Sequence, residues 1–243
     1  MSSKENMMKN KRKFDEFYSD IEDKIISFNK LNKDNYLVYE NQMFCPDCRK
    51  AKLSYVFNTK TPHLKSKSGG KNPPHQESCP YGYKPASNNS VRNHIDALNN
   101  TQIEHKLASM MRYLLTDKSI RQTFLSDDTG QNNPMLIEAV AGATRTYNTM
   151  RRKSLGAYFT EEDKGEIYVF YGKGNLKLND KGNYAFLKIV IGGKTISVHR
   201  PKNLIPNDIE ENAEYYIVCI GYLKDSLFKI ELLKSNCLKY QRV

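Results

Sequence analysis

The sequence predicts an α+β protein with two unlike ends. The N-terminal end reads as a small metal-binding module with flanking helices, and the C-terminal end as a small antiparallel β-barrel, OB-like. Three observations carry this expectation. A Cys-x2-Cys pair and a His-x3-Cys pair share one polar segment, residues 44–81. Helical periodicity of apolar residues flanks that segment on both sides. From Glu166 onward, apolar and polar residues alternate over strand-length runs separated by turn signals.

Taken in order, the first segment is residues 1–35. Within it, 11–30 places Phe14, Phe17, Tyr18, Ile21, Ile25 and Phe28 at steps of three and four. Such spacing predicts an amphipathic helix that packs on a neighbour or dimerises with a partner chain. Residues 36–88 form the second segment, with "YLVYENQMF" as a short strand, "CPDC" as a turn and "KLSYVFN" as the return strand. The Pro-, Gly-, Ser- and Lys-rich stretch 58–90 would be a loop unless something orders it. Residues 89–150 read as one or two helices, with Ile103, Leu107, Met110, Met111 and Leu114 on one face. Thr101 and Glu104 suit a capping box. "SDDTGQNNP" is a loop, and "MLIEAVAGA" fits strand or helix. In 151–243, "RRKSL" is a basic hinge and "IGGK" a hairpin turn. Four or five strands in so short a span favour closure, which removes exposed edges. An SH3-like barrel is the second choice.

The metal-binding reading rests on residue type and spacing. Cys45, Cys48, His75 and Cys79 give C-x2-C-x26-H-x3-C, a zinc-finger set of three cysteines and one histidine. His63 is the rival fourth ligand. Four protein ligands leave no open position for substrate, so the zinc is expected to be structural. A redox pair is the other use of C-x-x-C, but the Lys-, Pro- and Gly-rich sequence after Cys48 does not resemble the helix such pairs open. Cys219 and Cys237 read as small core residues.

The 243-residue chain has a mean hydropathy of −0.69 and no run of about 18 apolar residues, which excludes a helical membrane span. Its first residues lack the apolar core of a secretory signal, so the expected compartment is cytoplasmic. The formal net charge is +11. Residues 44–90 alone contribute +6, and that concentration points to phosphate backbones. Candidate nucleic-acid contacts in the module are Arg49, Lys50, Lys52, Lys65, Lys67 and Lys71, with Tyr55, Phe57, Tyr81 and Tyr83 interleaved. Arg151 and Arg152 at the hinge are further candidates. On the barrel, Tyr168, Tyr171, Lys177, His199 and Arg200 are considered. Tyr184, Phe186 and Lys188 share one strand face and make the best stacking platform, with Ala185, Leu187 and Ile189 on the other.

The order "CPDC … PHLKS … SC", followed by "TQIEHKLASMMRYLL", resembles the N-terminal zinc-finger region of CoiA-like competence proteins of bacteria and mobile elements. The likeness covers roughly residues 40–115. In that family a Pro-His-aromatic-x-His motif follows the knuckle. Here Leu64 and Ser66 occupy the aromatic and second His positions, so a ligand role is not carried over to His63. The resemblance implies a nucleic-acid-associated zinc module. The family's second half implies a restriction-type nuclease, whose acidic D/E-x-K pattern has no counterpart at the matching spacing around Glu166 or Glu231.

The expected function is therefore a zinc-containing nucleic-acid-binding protein, bacterial or encoded by a phage or mobile element. It would grip DNA or RNA through the basic module and the barrel, without catalysis. One alternative is a diverged magnesium-dependent nuclease using Glu104, Asp127, Asp128 and Glu138 with His105. Another is a regulatory factor that docks a partner through the helix at 11–30.

Overall fold

The computed structural model describes residues 13–67, 69, 74–115, 133–141, 144–210 and 212–243. Over the described part of 11–30 the expected helix is replaced by a hairpin. β1 (Glu16–Ser19) and β2 (Lys24–Ser27) pair antiparallel, with Phe17 opposite Ile26 and Tyr18 opposite Ile25. A single 3-10 turn, Phe28–Lys30, comes next. The reversal between the strands brings Phe14, Phe17 and Phe28 of the expected face into one core, with Ile26 in place of Ile25. Asp23 takes the left-handed φ of 45° at that reversal, and Ile21 at its tip is 57% exposed. The dimerising helix is thus absent among the described residues.

One helical turn, α1 (Tyr36–Tyr39), stands where a strand was expected, and only β3 (Met43–Phe44) is extended there. It joins β1 to complete a β2-β1-β3 sheet. β4 (Leu53–Val56) and β5 (His63–Ser66) form a separate ribbon. The core of this N-terminal part gathers Phe14, Phe17, Met43, Leu53 and Leu64 around three buried cysteines.

Two helices come after it, as the periodicity predicts: α2 (Asn88–Ala97) and α3 (Asn100–Leu115). The Ser87 side chain caps α2 by accepting from the Ser90 amide. The capping box of α3 is Asn99 with Gln102, in two reciprocal 2.9 Å bonds, rather than Thr101 with Glu104. The apolar stripe from Ile103 to Leu114 is buried. The expected continuation of the helical pattern to residue 125, and most of the loop 126–134, lie outside the described residues. The ambiguous segment after it is a strand, β6 (Leu136–Ala141), in a hairpin with β7 (Thr144–Thr149).

The rest is β8 (Arg152–Ser154), β9 (Ile167–Asp180), β10 (Tyr184–Ile191), β11 (Lys194–Pro201), β12 (Glu214–Leu223), β13 (Lys229–Leu232) and β14 (Leu238–Arg242). Five of these strands close a barrel in the order β9-β10-β11-β13-β12 and back to β9. The expectation of a wholly antiparallel barrel is corrected at one junction: β11 and β13 run parallel, with Ser197 opposite Lys229. The chain crosses the barrel through β12 before it returns beside β11, and that crossing sets the direction.

β9 makes closure possible because it pairs with two strands in turn. Its residues 167–175 face β12, and residues 175–180 face β10. Gly174 lies at the changeover, where an added Cβ would sit 2.6 Å from the Val190 carbonyl oxygen. The Gly192–Gly193 turn joins β10 to β11 with both φ angles positive, 56° and 79°, as a tight two-residue hairpin requires.

β9 is buried on both faces over its first half. Tyr168 and Phe170 point into the barrel with Leu187, Val198 and Ile217. Ile167, Val169 and Tyr171 point outward, under α2 and α3 and beside Val218 and Ile220. The helices therefore cover one side of the barrel, and the outer face of β10 and β11 is left open. Cys219 and Cys237 are fully buried core residues, as read from sequence. No helix among the described residues is long and apolar enough to cross a membrane.

Replacing Gly174 with Ala forces a methyl into backbone that cannot retreat without opening β9 from β10. We expect a loss of about 1–3 kcal/mol in urea unfolding. An unchanged midpoint would contradict this account of closure.

Candidate metal centre

Two short pieces of backbone aim four side chains at one point. After β3 the chain turns back on itself: the Arg49 amide donates to the Cys45 carbonyl at 3.0 Å, and the Cys45 amide donates to the Ala51 carbonyl at 2.8 Å. Arg49 takes a left-handed φ of 52° to complete the turn. That conformation costs a non-glycine residue about 1–2 kcal/mol, and the guanidinium offsets some of it by lying 4.4 Å from the centre of the Tyr18 ring. The second piece is a turn in which the Cys79 amide donates to the Gln76 carbonyl, followed by the 3-10 turn Pro80–Gly82. It swings His75 over Cys79.

The ligand atoms of Cys45, Cys48, His75 and Cys79 all lie within 4.8 Å of one another. Cys45 Sγ is 3.7 Å from Cys79 Sγ. His75 Nδ1 is 3.7 Å from Cys48 Sγ and 3.6 Å from Cys79 Sγ. A regular tetrahedron with metal–sulfur bonds of about 2.3 Å has edges of about 3.8 Å, so these are the spacings that four ligands of one ion would show. A disulfide needs sulfurs at about 2.05 Å, and all five cysteines are free. The four residues can hold a metal ion.

The imidazole is held from behind. His75 Nε2 is 3.0 Å from Ser66 Oγ on β5. With the ring proton on Nε2 donated to that hydroxyl, Nδ1 presents its lone pair to the cysteines. The Phe14 and Tyr81 rings stack at 4.4 Å, and the His75 ring lies 6.1 and 6.3 Å from them. His63, the rival, is committed elsewhere: its Nδ1 is 3.0 Å from the Thr61 carbonyl oxygen, and it is not in the cluster.

The electrostatics of the cysteines also call for a cation. Burial pushes the Cys45 thiol well up. Cys48 is pulled far down, chiefly because Cys45 and Cys79 donate to it. A divalent ion supplies the positive charge that lets all three exist as thiolates.

Between the two cysteines of the knuckle, Asp47 faces away into the protein. Its Oδ1 accepts from Arg152 Nη2 at 2.9 Å and its Oδ2 from the Tyr113 hydroxyl at 2.7 Å. Arg152 also donates through Nε to the Tyr81 hydroxyl at 3.0 Å. The side chains of Arg152 and Asp47 are 6% and 0% exposed. The carboxylate therefore joins the metal knuckle to β8 and to α3.

This corrects the reading of 151–155 as a basic hinge. Arg152 is spent on Asp47, and Arg151 pairs with Glu166. Lys153 is buried between Asp163 at 3.0 Å and Asp15 at 3.6 Å. Arg152, buried on Asp47, is not placed to meet a phosphate, whereas Arg151 is half-buried beside Glu166.

The remaining candidates divide cleanly. Lys50 and Lys65 are exposed, Lys52 is half-buried beside the Phe44 ring, and Lys67 donates to Asn41. Lys71 lies outside the described residues. Tyr55 and Tyr81 are core residues, and Phe57 packs against Tyr55 and Tyr36. Tyr168, Tyr171 and Arg200 are buried; Arg200 donates to the Leu204 and Ser235 carbonyls.

Tyr184, Phe186 and Lys188 share the open face of β10, while Ala185, Leu187 and Ile189 are fully buried, as the alternation predicts. Phe186 stands opposite His199 on β11. The three rings of Tyr184, Phe186 and His199 have centroids 5.5–5.9 Å apart. Lys188 stands directly opposite Lys177 of β9, and neither forms an ion pair among the described residues.

Glu104 and Glu138 are exposed on separate elements, Glu104 lying 3.5 Å from Lys239. Asp127 and Asp128 lie outside the described residues. Among the described residues, the Cys3His set is the one group of three or more metal-ligating side chains that converge. No known protein family, curated protein or solved structure matches the chain.

Sequence reasoning missed Ser66 as the support of His75 and Asp47 as the tie to Arg152. Asp47 gave a weak signal as one of two acids in the strongly basic stretch 44–90.

Purified, reduced protein should contain one transition-metal ion per chain by mass spectrometry. Cys45→Ser or Cys79→Ser should lose it and lower the melting temperature by about 10 °C or more. His63→Ala should keep both metal and stability. Metal retained in Cys79→Ser would contradict the ligand set.

Proposed function

We propose that the ion is zinc in a structural role, and that the protein binds single-stranded nucleic acid on the open face of an OB-type barrel. Three thiolates and an imidazole in tetrahedral array suit zinc, and a closed set of four protein ligands has no position for substrate. The strand order β9-β10-β11-β13-β12, with β11 parallel to β13, supports assignment of the barrel to the five-stranded Greek-key OB type. The resemblance of residues 40–115 to CoiA-like zinc-finger regions points the same way.

The observation that carries the reading is the pattern on β9, β10 and β11. Tyr184, Phe186 and His199 put three aromatic rings side by side on a face the helices leave open. One rung further, Lys177 and Lys188 face each other across the ladder. Like charges directly opposite destabilise a sheet, and an anion between them removes that cost. Rings for bases beside cations for phosphates is the arrangement that grips a single strand with little regard to sequence. The exposed Lys50 and Lys65 add to the positive field, while the zinc fixes the module that carries them.

Fluorescence anisotropy with labelled dT and rU oligonucleotides tests this. Binding at 50 mM salt should weaken steeply as salt rises. Phe186→Ala should raise Kd roughly five- to hundred-fold, the equivalent of about 1–3 kcal/mol for one stacked base. Lys188→Ala should reduce the slope of log Kd against log salt by about 0.7. No binding at low salt, or a Phe186→Ala variant that binds as tightly as the parent, would overturn the proposal.

A further inference from the structure

The outer face of β10 and β11 does not end at the lysine rung. Beyond it stand Val190 and Thr195, opposite each other, and then the Gly192–Gly193 turn. At that end of the barrel lies a cleft of about 570 Å³. Tyr158, Phe159, Lys194, Thr195, Leu227 and Phe228 line it, and Asn29 of the N-terminal part reaches its rim. The volume lies in the range of sites for small organic groups.

Two large aromatic side chains are exposed at this cleft, Tyr158 at 68% and Phe228 at 53%. Neither ring has an aromatic partner among the described residues, and burying either would be favourable. The backbone holds Phe228 in place. Phe228 accepts from the Ser197 amide through its carbonyl, and its own amide donates to Ser226 Oγ at 3.1 Å. On the other wall, the Phe159 ring is fixed against Phe170, and Lys194 lies over Phe159 while donating to the Ala157 carbonyl. Tyr158, next to that anchor, is left outside. Among the lining residues the exposed polar groups are the Asn29 amide and the hydroxyls of Thr195 and Tyr158, and the charged one is a lysine.

We infer that this cleft is a second base site, which receives an end base of a strand whose other bases stack on Tyr184, Phe186 and His199. The inference rests on the nucleic-acid reading of the barrel face. Flat rings with an amide, hydroxyls and an ammonium at their edges match a nucleobase on its sugar-phosphate, flat-faced with polar edges and an anion alongside. Continuity supports the same occupant: Phe186 to Val190 spans four residues of β10, about 13 Å of extended chain, with Lys188 midway. A strand that starts on the ring cluster therefore passes the lysine rung and arrives at the cleft, which sets a site of about four nucleotides, the low end for such barrels. Asn29, Gly156, Tyr158 and Phe159 of the lining precede the barrel, so the segment before the barrel and the N-terminal part help to set where the strand ends.

The test uses the full chain with dT and rU oligomers of two, four, six and eight units, carrying 2-aminopurine at the 5′ end, the centre or the 3′ end. Affinity should rise up to about four nucleotides and then level. The probe at one end should be quenched on binding. Tyr158→Ala and Phe228→Ala should each restore fluorescence at that end and weaken the longer oligomers about fivefold or more, with dinucleotide affinity unchanged. Phe186→Ala should weaken every length. Circular dichroism and metal content of the variants confirm folding. If oligomers bind and depend on Phe186 while both cleft variants bind and quench like the parent, the cleft assignment fails and the barrel reading stands. If no oligomer binds, both fall.

Discussion

Three cysteines and a histidine drawn within 4.8 Å of one another are what the N-terminal third of the molecule is built around. The knuckle of Cys45 and Cys48 follows β3, while His75 and Cys79 come from a stretch with little regular structure. The two pieces of chain meet at the ligand atoms. Buried thiols resist ionisation in apolar surroundings, so without a cation this convergence would be a cost. With one, binding at a site that exists only in the folded chain contributes directly to folding. The loop around the ligands is basic, Pro-rich and Gly-rich, and it has few apolar residues of its own with which to hold a shape.

Asp47 transmits that order to the rest of the fold. A carboxylate at 0% exposure accepts from Arg152 on β8 and from Tyr113 on α3, so the knuckle, the strand beside the barrel and the long helix share one buried polar junction. Such a junction gains little net stability against an apolar equivalent, because both charges are desolvated. Losing one partner is far more costly. It fixes position more than it adds strength. Lys153 between Asp163 and Asp15 repeats the pattern at the next residue of β8. The barrel is thereby held against the N-terminal part at one side, with α2 and α3 covering the adjoining flank. The open face of β10 and β11 is what remains.

Much of the site was legible because it depends on short-range spacing. Cys-x2-Cys and His-x3-Cys announce ligand pairs wherever they occur, and the two-residue alternation in "YAFLKIVI" separated Tyr184, Phe186 and Lys188 from the barrel interior. The hairpin at 16–27 was misread because four-residue strands around a tight turn put apolar residues at three- and four-residue intervals, which also suit a helix. The double burial of β9 hid Tyr168 and Tyr171, since a strand covered on both faces shows no alternation. Arg151 and Arg152 misled for a different reason. A buried arginine is recognised by its partner, and Asp47 lies 105 residues away in the chain. No local pattern records that pairing. The His-x3-Cys spacing already favoured His75 over His63, and the fold adds the reason: Ser66 supports the one ring and the Thr61 carbonyl holds the other.

X-ray absorption at the metal edge of the purified, reduced protein tests the central claim most directly. The account predicts a zinc edge with three sulfur scatterers at about 2.3 Å and one nitrogen at about 2.0 Å. Oxygen or nitrogen in place of the sulfurs, or the absence of a bound metal together with a Cys45–Cys79 disulfide, would contradict it.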